Sequence, residues 1–207
     1  MAIGYGAGGH RPTQMATPAA FLDRDGTLIE DVGYVDRLER LRLYPWSVEA
    51  VRLLHRVGYA VVVVTNQAGV ARGMVKEEVV LAAYDLIQQR LAEVGERLDG
   101  HYYCPHLEDA PVATCRQRCS CHKPLPGMVQ RAAEELSLDL SRSVVIGDRW
   151  SDIQLAQSVG AKGLLVKTGY GATQVTTPPA NVSPDAVTAN LIEAVGWMLR
   201  CLPWPRT

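Results

Sequence analysis

Two aspartates, Asp23 and Asp25, flank an arginine in the stretch Asp23-Arg24-Asp25-Gly26-Thr27, directly after a short apolar run. Residues two apart at a strand end point to the same side, and Gly26 lets the chain turn away sharply. Carboxylates held that close repel, so a cation or a shared proton is needed to keep them together. Gly147-Asp148-Arg149, after a later apolar run, supplies a further carboxylate, and Asp152 follows it. Carboxyl oxygens completed by water suit Mg²⁺, a hard octahedral ion that usually partners substrate phosphate. Thr65-Asn66-Gln67 offers a hydroxyl and His122-Lys123-Pro124 a fixed positive charge, both suited to phosphoryl oxygens. A divalent ion, an ammonium, a hydroxyl and a carboxylate nucleophile together make a phosphoryl-transfer site. Singly the parts say little, since a DxD pair often only caps a turn. Their meaning lies in the conjunction and in the places where they fall along the chain.

Those places require a scaffold that gathers distant segments. Apolar runs at Ala19–Leu22, Tyr59–Val64, Ser143–Ile146 and Gly163–Val166, with Tyr102–Tyr103 as a weaker fifth, are short and end in polar or glycine-bearing turns. Parallel strands buried on both faces read this way. Between them, Trp46, Val48, Val51, Leu54 and Val57 form one helical stripe, and Val79, Val80, Ala83, Leu86, Ile87 and Val94 a longer one. Met128, Ala132 and Leu136 mark a third helix, Ile153 and Ala156 a fourth, and Leu191–Leu199 a last one with Asn190 as N-cap. The alternation predicts a three-layer, Rossmann-like α/β fold with a parallel sheet, helices on both faces and right-handed crossovers. Ligands bind such sheets beyond the carboxyl ends of the strands, where the candidate residues fall. From Thr27 to Val61, and from Asn66 to Lys123, there is no room for a large cap domain.

The 207 residues, with 21 Lys+Arg against 22 Asp+Glu and 47% hydrophobic residues, suit one domain over residues 17–207 after a flexible extension over 1–16. Met15 is a candidate start, and His10 and Arg11 read as a solvated tail. A net charge of -1 gives no cationic field for sequence-independent nucleic-acid binding. No apolar run is long enough to span a membrane, and the glycine-rich N-terminus lacks the apolar core of a secretion signal. The expectation is a monomer in the cytosol.

The segment from Cys104 to Lys123 resists the pattern. Cys104-Pro105-His106 and Cys119-Ser120-Cys121 bracket an irregular loop at about residues 104–121. Cys104, His106, Cys119 and Cys121 make a Cys₃His set, a recurrent structural Zn²⁺ site whose filled tetrahedron leaves no place for a reacting water. Metal binding would then supply folding energy to a segment with little apolar material. The alternative is that these cysteines are small buried hydrophobes. Cys115 reads as a spare thiol beside Arg116, and Cys201 as packing at the end of the last helix. His55, His101 and the tryptophans carry no functional signal beyond packing.

Phe21–Leu28 (FLDRDGTL), Thr65, Lys123 and Gly147–Asp152 together resemble the haloacid dehalogenase-like phosphohydrolases. Asp31–Val35, Val61–Gly73, Tyr102–His106 and Cys119–Pro124 narrow the resemblance to the branch acting on heptose bisphosphates and histidinol phosphate. It covers about residues 19 to 170. It implies a small phosphorylated sugar as substrate, in the first place a heptose bisphosphate of lipopolysaccharide-core synthesis, with histidinol phosphate or another small ester as the alternative. It implies Asp23 as nucleophile and Asp25 as acid and base. Mg²⁺ falls to Asp23, Asp148 and Asp25, the last through its main-chain carbonyl. Thr65 and Lys123 fall on phosphoryl oxygens, and Asp152 on Lys123. Asp31, Gly33 and Tyr34 match a loop bordering the substrate, and Asn66, Gln67, His122 and Arg149 complete the expected substrate set. His122 and Arg149 stand where this branch usually has Arg and Lys; Arg72, Arg116 and Arg118 are candidates to supply the cation that His122 lacks. A zinc-stabilised module that only binds a metal is the non-enzymatic alternative, against which the pairing of Asp25 with Asp23 argues.

Overall fold

Runs of β-branched residues favour extended backbone and continuous apolar ones favour burial on both sides, and each such run in this chain becomes a strand. The structure is a computed structural model and describes residues 16–203. The expected N-terminal extension, apart from Ala16, lies outside the described residues, as do His10, Arg11 and Met15. The strands are β1 (Ala19–Leu22), β2 (Ala60–Asn66), β3 (Gly100–Cys104), β4 (Val144–Gly147), β5 (Lys162–Val166) and β6 (Ala186–Thr188). The helices are α1 (Ser47–Arg56), α2 (Ala68–Ala71), α3 (Glu77–Ala92), α4 (Gly127–Leu136), α5 (Trp150–Ser158), α6 (Gly171–Gln174) and α7 (Leu191–Cys201).

The six strands form one sheet in the order β3-β2-β1-β4-β5-β6, and every pair is parallel. Alternate residues of each strand go to opposite faces. Ala20, Leu22, Val61, Val63, Val144 and Ile146 pack on one side with α1, α3 and α7. Phe21, Val62, Val64 and Val145 pack on the other with α4 and α5. The three-layer α/β expectation is met. Asn190 caps α7, its side chain accepting from the Glu193 N–H.

The chain runs outward from β1 to β2 and β3, then returns to place β4 on the other side of β1. That reversal opens a crevice beyond the carboxyl ends of β1 and β4. Leu22 is level with Val63 and Ile146, so Asp23 and Asp148 leave the sheet side by side.

Three elements were not foreseen: β6 and the four-residue helices α2 and α6. Strand β2 also continues to Asn66, because Thr65 and Asn66 pair with Tyr103 and Cys104 on β3. One packing expectation is corrected. Cys201 is exposed; the last turn of α7 overruns the core, and Leu202 closes its rim instead. Among the described residues, no helix is long and apolar enough to cross a membrane.

Candidate active site

Asp23, at the end of β1, accepts from the Arg24 N–H at 2.8 Å through Oδ1. The Lys123 ammonium lies 2.8 Å from that same oxygen and 2.7 Å from Asp152 Oδ1, and donates to the Val64 carbonyl at 2.9 Å. Both contacts of Asp23 fall on Oδ1. Lys123 is buried, and the charges of Asp152 and Asp23 hold its pKa above the ordinary value against the opposing effect of burial. Its backbone is clamped by Asn66, which accepts from the Lys123 N–H at 2.9 Å and donates to its carbonyl at 3.1 Å.

Asp152 sits in the first turn of α5, fully buried. Its Oδ2 accepts from the Arg149 N–H at 3.1 Å, a helix-capping bond. One carboxylate thus caps a helix and fixes Lys123.

Asp148 is also fully buried. Its Oδ2 accepts from the Tyr170 N–H at 2.7 Å, while Oδ1 is buried with no partner. Burial, then the charge of Asp23, pushes its pKa up to about 8. Gly26 permits this approach: its φ is +82°, and a Cβ there would stand 2.4 Å from Asp148 Oδ2. Carboxylate oxygens of Asp23, Asp148 and Asp152 all lie within 4.8 Å of one another. An orphaned carboxylate oxygen in such a cluster is what a divalent cation would satisfy, so the residues fit Mg²⁺.

Asp25 keeps its carboxylate apart from that cluster. Arg24 donates to it through Nε and Nη2, each at 3.0 Å, and Gln67 Nε2 donates to Oδ2 at 3.1 Å. Burial raises the Asp25 pKa, against the lowering effect of Arg24. Thr65 is buried and accepts from Gln67 Nε2 at 2.9 Å.

These groups open on a cavity of about 410 Å³. Asp23, Asp25, Asp31, Gly33, Tyr34, Thr65, Asn66, Gln67, His122, Lys123 and Arg149 all line it, while Asp148 and Asp152 lie outside its lining. Asp31 holds the bordering loop by accepting from the Gly33 N–H at 2.8 Å. The Arg149 guanidinium lies 4.0 Å from the Tyr170 ring centroid and 3.8 Å from Asp31. Of the arginines expected to compensate for His122, Arg72 lines the cavity and donates to the Tyr34 hydroxyl. Arg116 and Arg118 do not: Arg116 is held by the Ala110 carbonyl and Arg118 pairs with Glu108. Arg24 is a site residue that sequence reasoning misses, because arginine is a surface-type residue and here it is buried.

Beside the cavity, Cys104, His106, Cys119 and Cys121 bring ligand atoms within 4.8 Å of one another. Cys104 Sγ is 3.0 Å from Cys121 Sγ and 3.6 Å from Cys119 Sγ, and His106 Nδ1 is 3.4 Å from Cys121 Sγ. Sulfurs sharing a tetrahedral Zn²⁺ at about 2.3 Å stand about 3.8 Å apart, so modest relaxation accommodates the ion. Gln117 engages the other ring nitrogen of His106 at 2.7 Å. Cys115 packs separately, with Val70, Ala71 and Val75.

A parallel sheet with this acidic crevice and a lysine set between carboxylates defines the class of haloacid dehalogenase-like hydrolases, and the family model described as HAD-hydrolase-like matches residues 120–194. A D-glycero-beta-D-manno-heptose-1,7-bisphosphate 7-phosphatase of Yersinia pestis is 44% identical over 160 residues, covering 76% of this chain and 85% of its own. The D-glycero-D-manno-heptose-1,7-bisphosphate 7-phosphatase of Thermosynechococcus vestitus is 41% identical over 189 residues, covering 89% and 96%. The crystal structure of D,D-heptose 1,7-bisphosphate phosphatase from B. bronchiseptica, complexed with magnesium and phosphate, superposes with a TM-score of 0.78 at 30% identity, over 89% of this chain and 99% of that one. The chain belongs to the heptose-1,7-bisphosphate 7-phosphatase family of these hydrolases.

Proposed function

We propose that this protein removes the 7-phosphate of D-glycero-D-manno-heptose 1,7-bisphosphate through an aspartyl-phosphate intermediate. The observation that carries the reading is the crevice between β1 and β4, where Asp23 is held by Lys123, a carboxylate oxygen of Asp148 lies within 4.8 Å of one of Asp23, and Asp148 Oδ1 is buried without a partner. Asp23 Oδ1 is occupied by Lys123 and the Arg24 N–H, so Oδ2 is the oxygen for attack on phosphorus. Lys123 and the Thr65 hydroxyl face the equatorial phosphoryl oxygens, where negative charge must be balanced during in-line displacement. Asp25 gives its proton to the departing sugar oxygen, then takes one from the water that hydrolyses the aspartyl-phosphate and regenerates Asp23. Burial favours the protonated form that this role needs first.

Mg²⁺ would be held by Asp23, Asp148 and the main-chain carbonyl of Asp25, and would supply charge neutralisation to the phosphoryl group. Asp152 orients Lys123. Asp31, Gly33, Tyr34, Asn66, Gln67, His122 and Arg149 form the walls around the substrate. Zn²⁺ on Cys104, His106, Cys119 and Cys121 fixes the loop that ends in His122 and Lys123. We assign these roles to one catalytic domain over residues 17–207, a cytosolic monomer acting on a small phosphorylated sugar, with neither nucleic acid nor membrane as partner.

The test is a comparison of initial rates on heptose 1,7-bisphosphate, histidinol phosphate and fructose 1,6-bisphosphate, each with Mg²⁺ and with chelator. Metal-dependent preference for the heptose ester is expected. Preference for histidinol phosphate would move the protein to the neighbouring specificity, and metal-independent hydrolysis would refute the mechanism.

A further inference from the structure

Gln67 has more hydrogen bonds than a wall residue requires. Its side-chain carbonyl accepts from Arg24 Nη2 at 3.1 Å. Its amide nitrogen donates to Asp25 Oδ2 at 3.1 Å and to Thr65 Oγ1 at 2.9 Å. An amide nitrogen has two protons, and both are used. The orientation is also forced, because a flipped amide would set its N–H groups against the Arg24 guanidinium, which can only donate. The backbone is pinned as well: the Gln67 N–H donates to the Cys104 carbonyl at 2.8 Å. Gln67 is nearly buried, 7% exposed.

The consequence falls on Thr65. Its Oγ1 must act as acceptor toward Gln67, so its own proton has to point elsewhere. Among the described residues Thr65 Oγ1 donates to no acceptor, and Thr65 lines the cavity. We infer that Gln67 is a positioning residue: by occupying a lone pair of Thr65 Oγ1, it aims the Thr65 hydroxyl proton into the cavity, toward a phosphoryl oxygen. Without that bond the hydroxyl is free to rotate, and a donor that must reorient during reaction stabilises developing charge less than one already aimed. The inference rests on the phosphatase reading, with Thr65 as a phosphoryl-oxygen donor.

A double-mutant cycle in kcat tests it. Gln67→Met keeps similar bulk and removes the side-chain hydrogen bonds; Thr65→Val removes the hydroxyl. Turnover of p-nitrophenyl phosphate with Mg²⁺ is measured for wild type, both single variants and the double variant, with thermal unfolding of each. Gln67→Met is expected to lower kcat about tenfold with KM changed less than about twofold, since the aimed donor acts on charge that develops in the transition state. In the Thr65→Val background the same change is expected to cost much less. Equal losses in both backgrounds, in folded proteins, would overturn the assignment while leaving the phosphatase reading intact. A folded wild type that hydrolyses no phosphate monoester would overturn that reading and this inference with it.

Discussion

Replacing Gly147 with alanine adds one methyl group where β4 gives way to the loop before α5. The backbone of Gly147 is not in the left-handed region, so the local conformation tolerates a side chain, and Gly→Ala there would ordinarily stabilise by about 0.4–1 kcal/mol through the unfolded state. The obstacle is Asp152. A Cβ on Gly147 would stand 2.1 Å from Asp152 Oδ2 and 2.6 Å from its Cβ. The aspartate has no easy retreat, because it is fully buried within the first turn of α5. Displacing it weakens the cap on the Arg149 N–H, worth about 0.5–2 kcal/mol. It also disturbs the buried pair with Lys123, whose outright loss costs about 3–5 kcal/mol. With the pair strained but not abolished, Gly147→Ala should destabilise by about 3 kcal/mol. Lys123 would lose its fixed position beside Asp23, and a misplacement of about 1 Å in a catalytic group costs about a hundredfold in rate. Urea unfolding with an unchanged m-value, together with kcat, measures both effects. Stability at or above wild type with unaltered kcat would refute the reasoning that Asp152 is held by the absence of a side chain at 147.

Asp148 carries a pKa pushed up to about 8 by burial and the charge of Asp23, so its charged form opposes folding when no cation is present. Asp148→Asn should therefore melt higher than wild type in chelator near pH 8, yet lose Mg²⁺-dependent activity and the stabilisation that Mg²⁺ gives wild type. His55 is held above its ordinary 6.5 by hydrogen bonds to Asp99 and then Glu96, at 3.0 Å and 2.7 Å. The raised value means that its contribution, about 1 kcal/mol, is present below about pH 6.5 and disappears as pH rises through the folded-state pKa. The difference in Tm between wild type and His55→Gln should shrink accordingly from acid to alkaline pH. Metal analysis should find about one Zn per chain, as a closed structural site holds. Cys121→Ser should lose that zinc and lower kcat, since Cys121 is two residues from Lys123.

The crevice was legible in the sequence because its chemistry sits at strand ends. Val61–Val64 and Val144–Ile146 mark strands by β-branching, and the residues that follow them bear the polar groups. Sheet order turns those scattered ends into one site. Strand β6 is hidden because Ala186–Thr188 is only three residues long, with Val187 exposed between half-buried neighbours, leaving no apolar run to read. Helices α2 and α6 are each four residues long, too short for a 3.6-residue period to show. The bonds linking Arg24, Asp25, Thr65 and Gln67 are invisible for another reason. They join two strand ends and a helix start, and nothing in residue type or spacing tells which partner an amide will choose. The fate of the arginines near the loop is likewise decided by packing, which leaves Arg72 at the cavity and turns Arg116 and Arg118 away.

The central claim is that Asp23 becomes covalently phosphorylated. Rapid acid quench of the Mg²⁺-bound enzyme during turnover of a radiolabelled phosphate ester, followed by peptide mapping, measures this directly. The expected result is label on the peptide bearing Asp23, absent in a folded Asp23→Asn variant that has also lost turnover. Wild-type turnover with no protein-bound label under conditions that slow breakdown of the intermediate, together with full activity in Asp23→Asn, would contradict it.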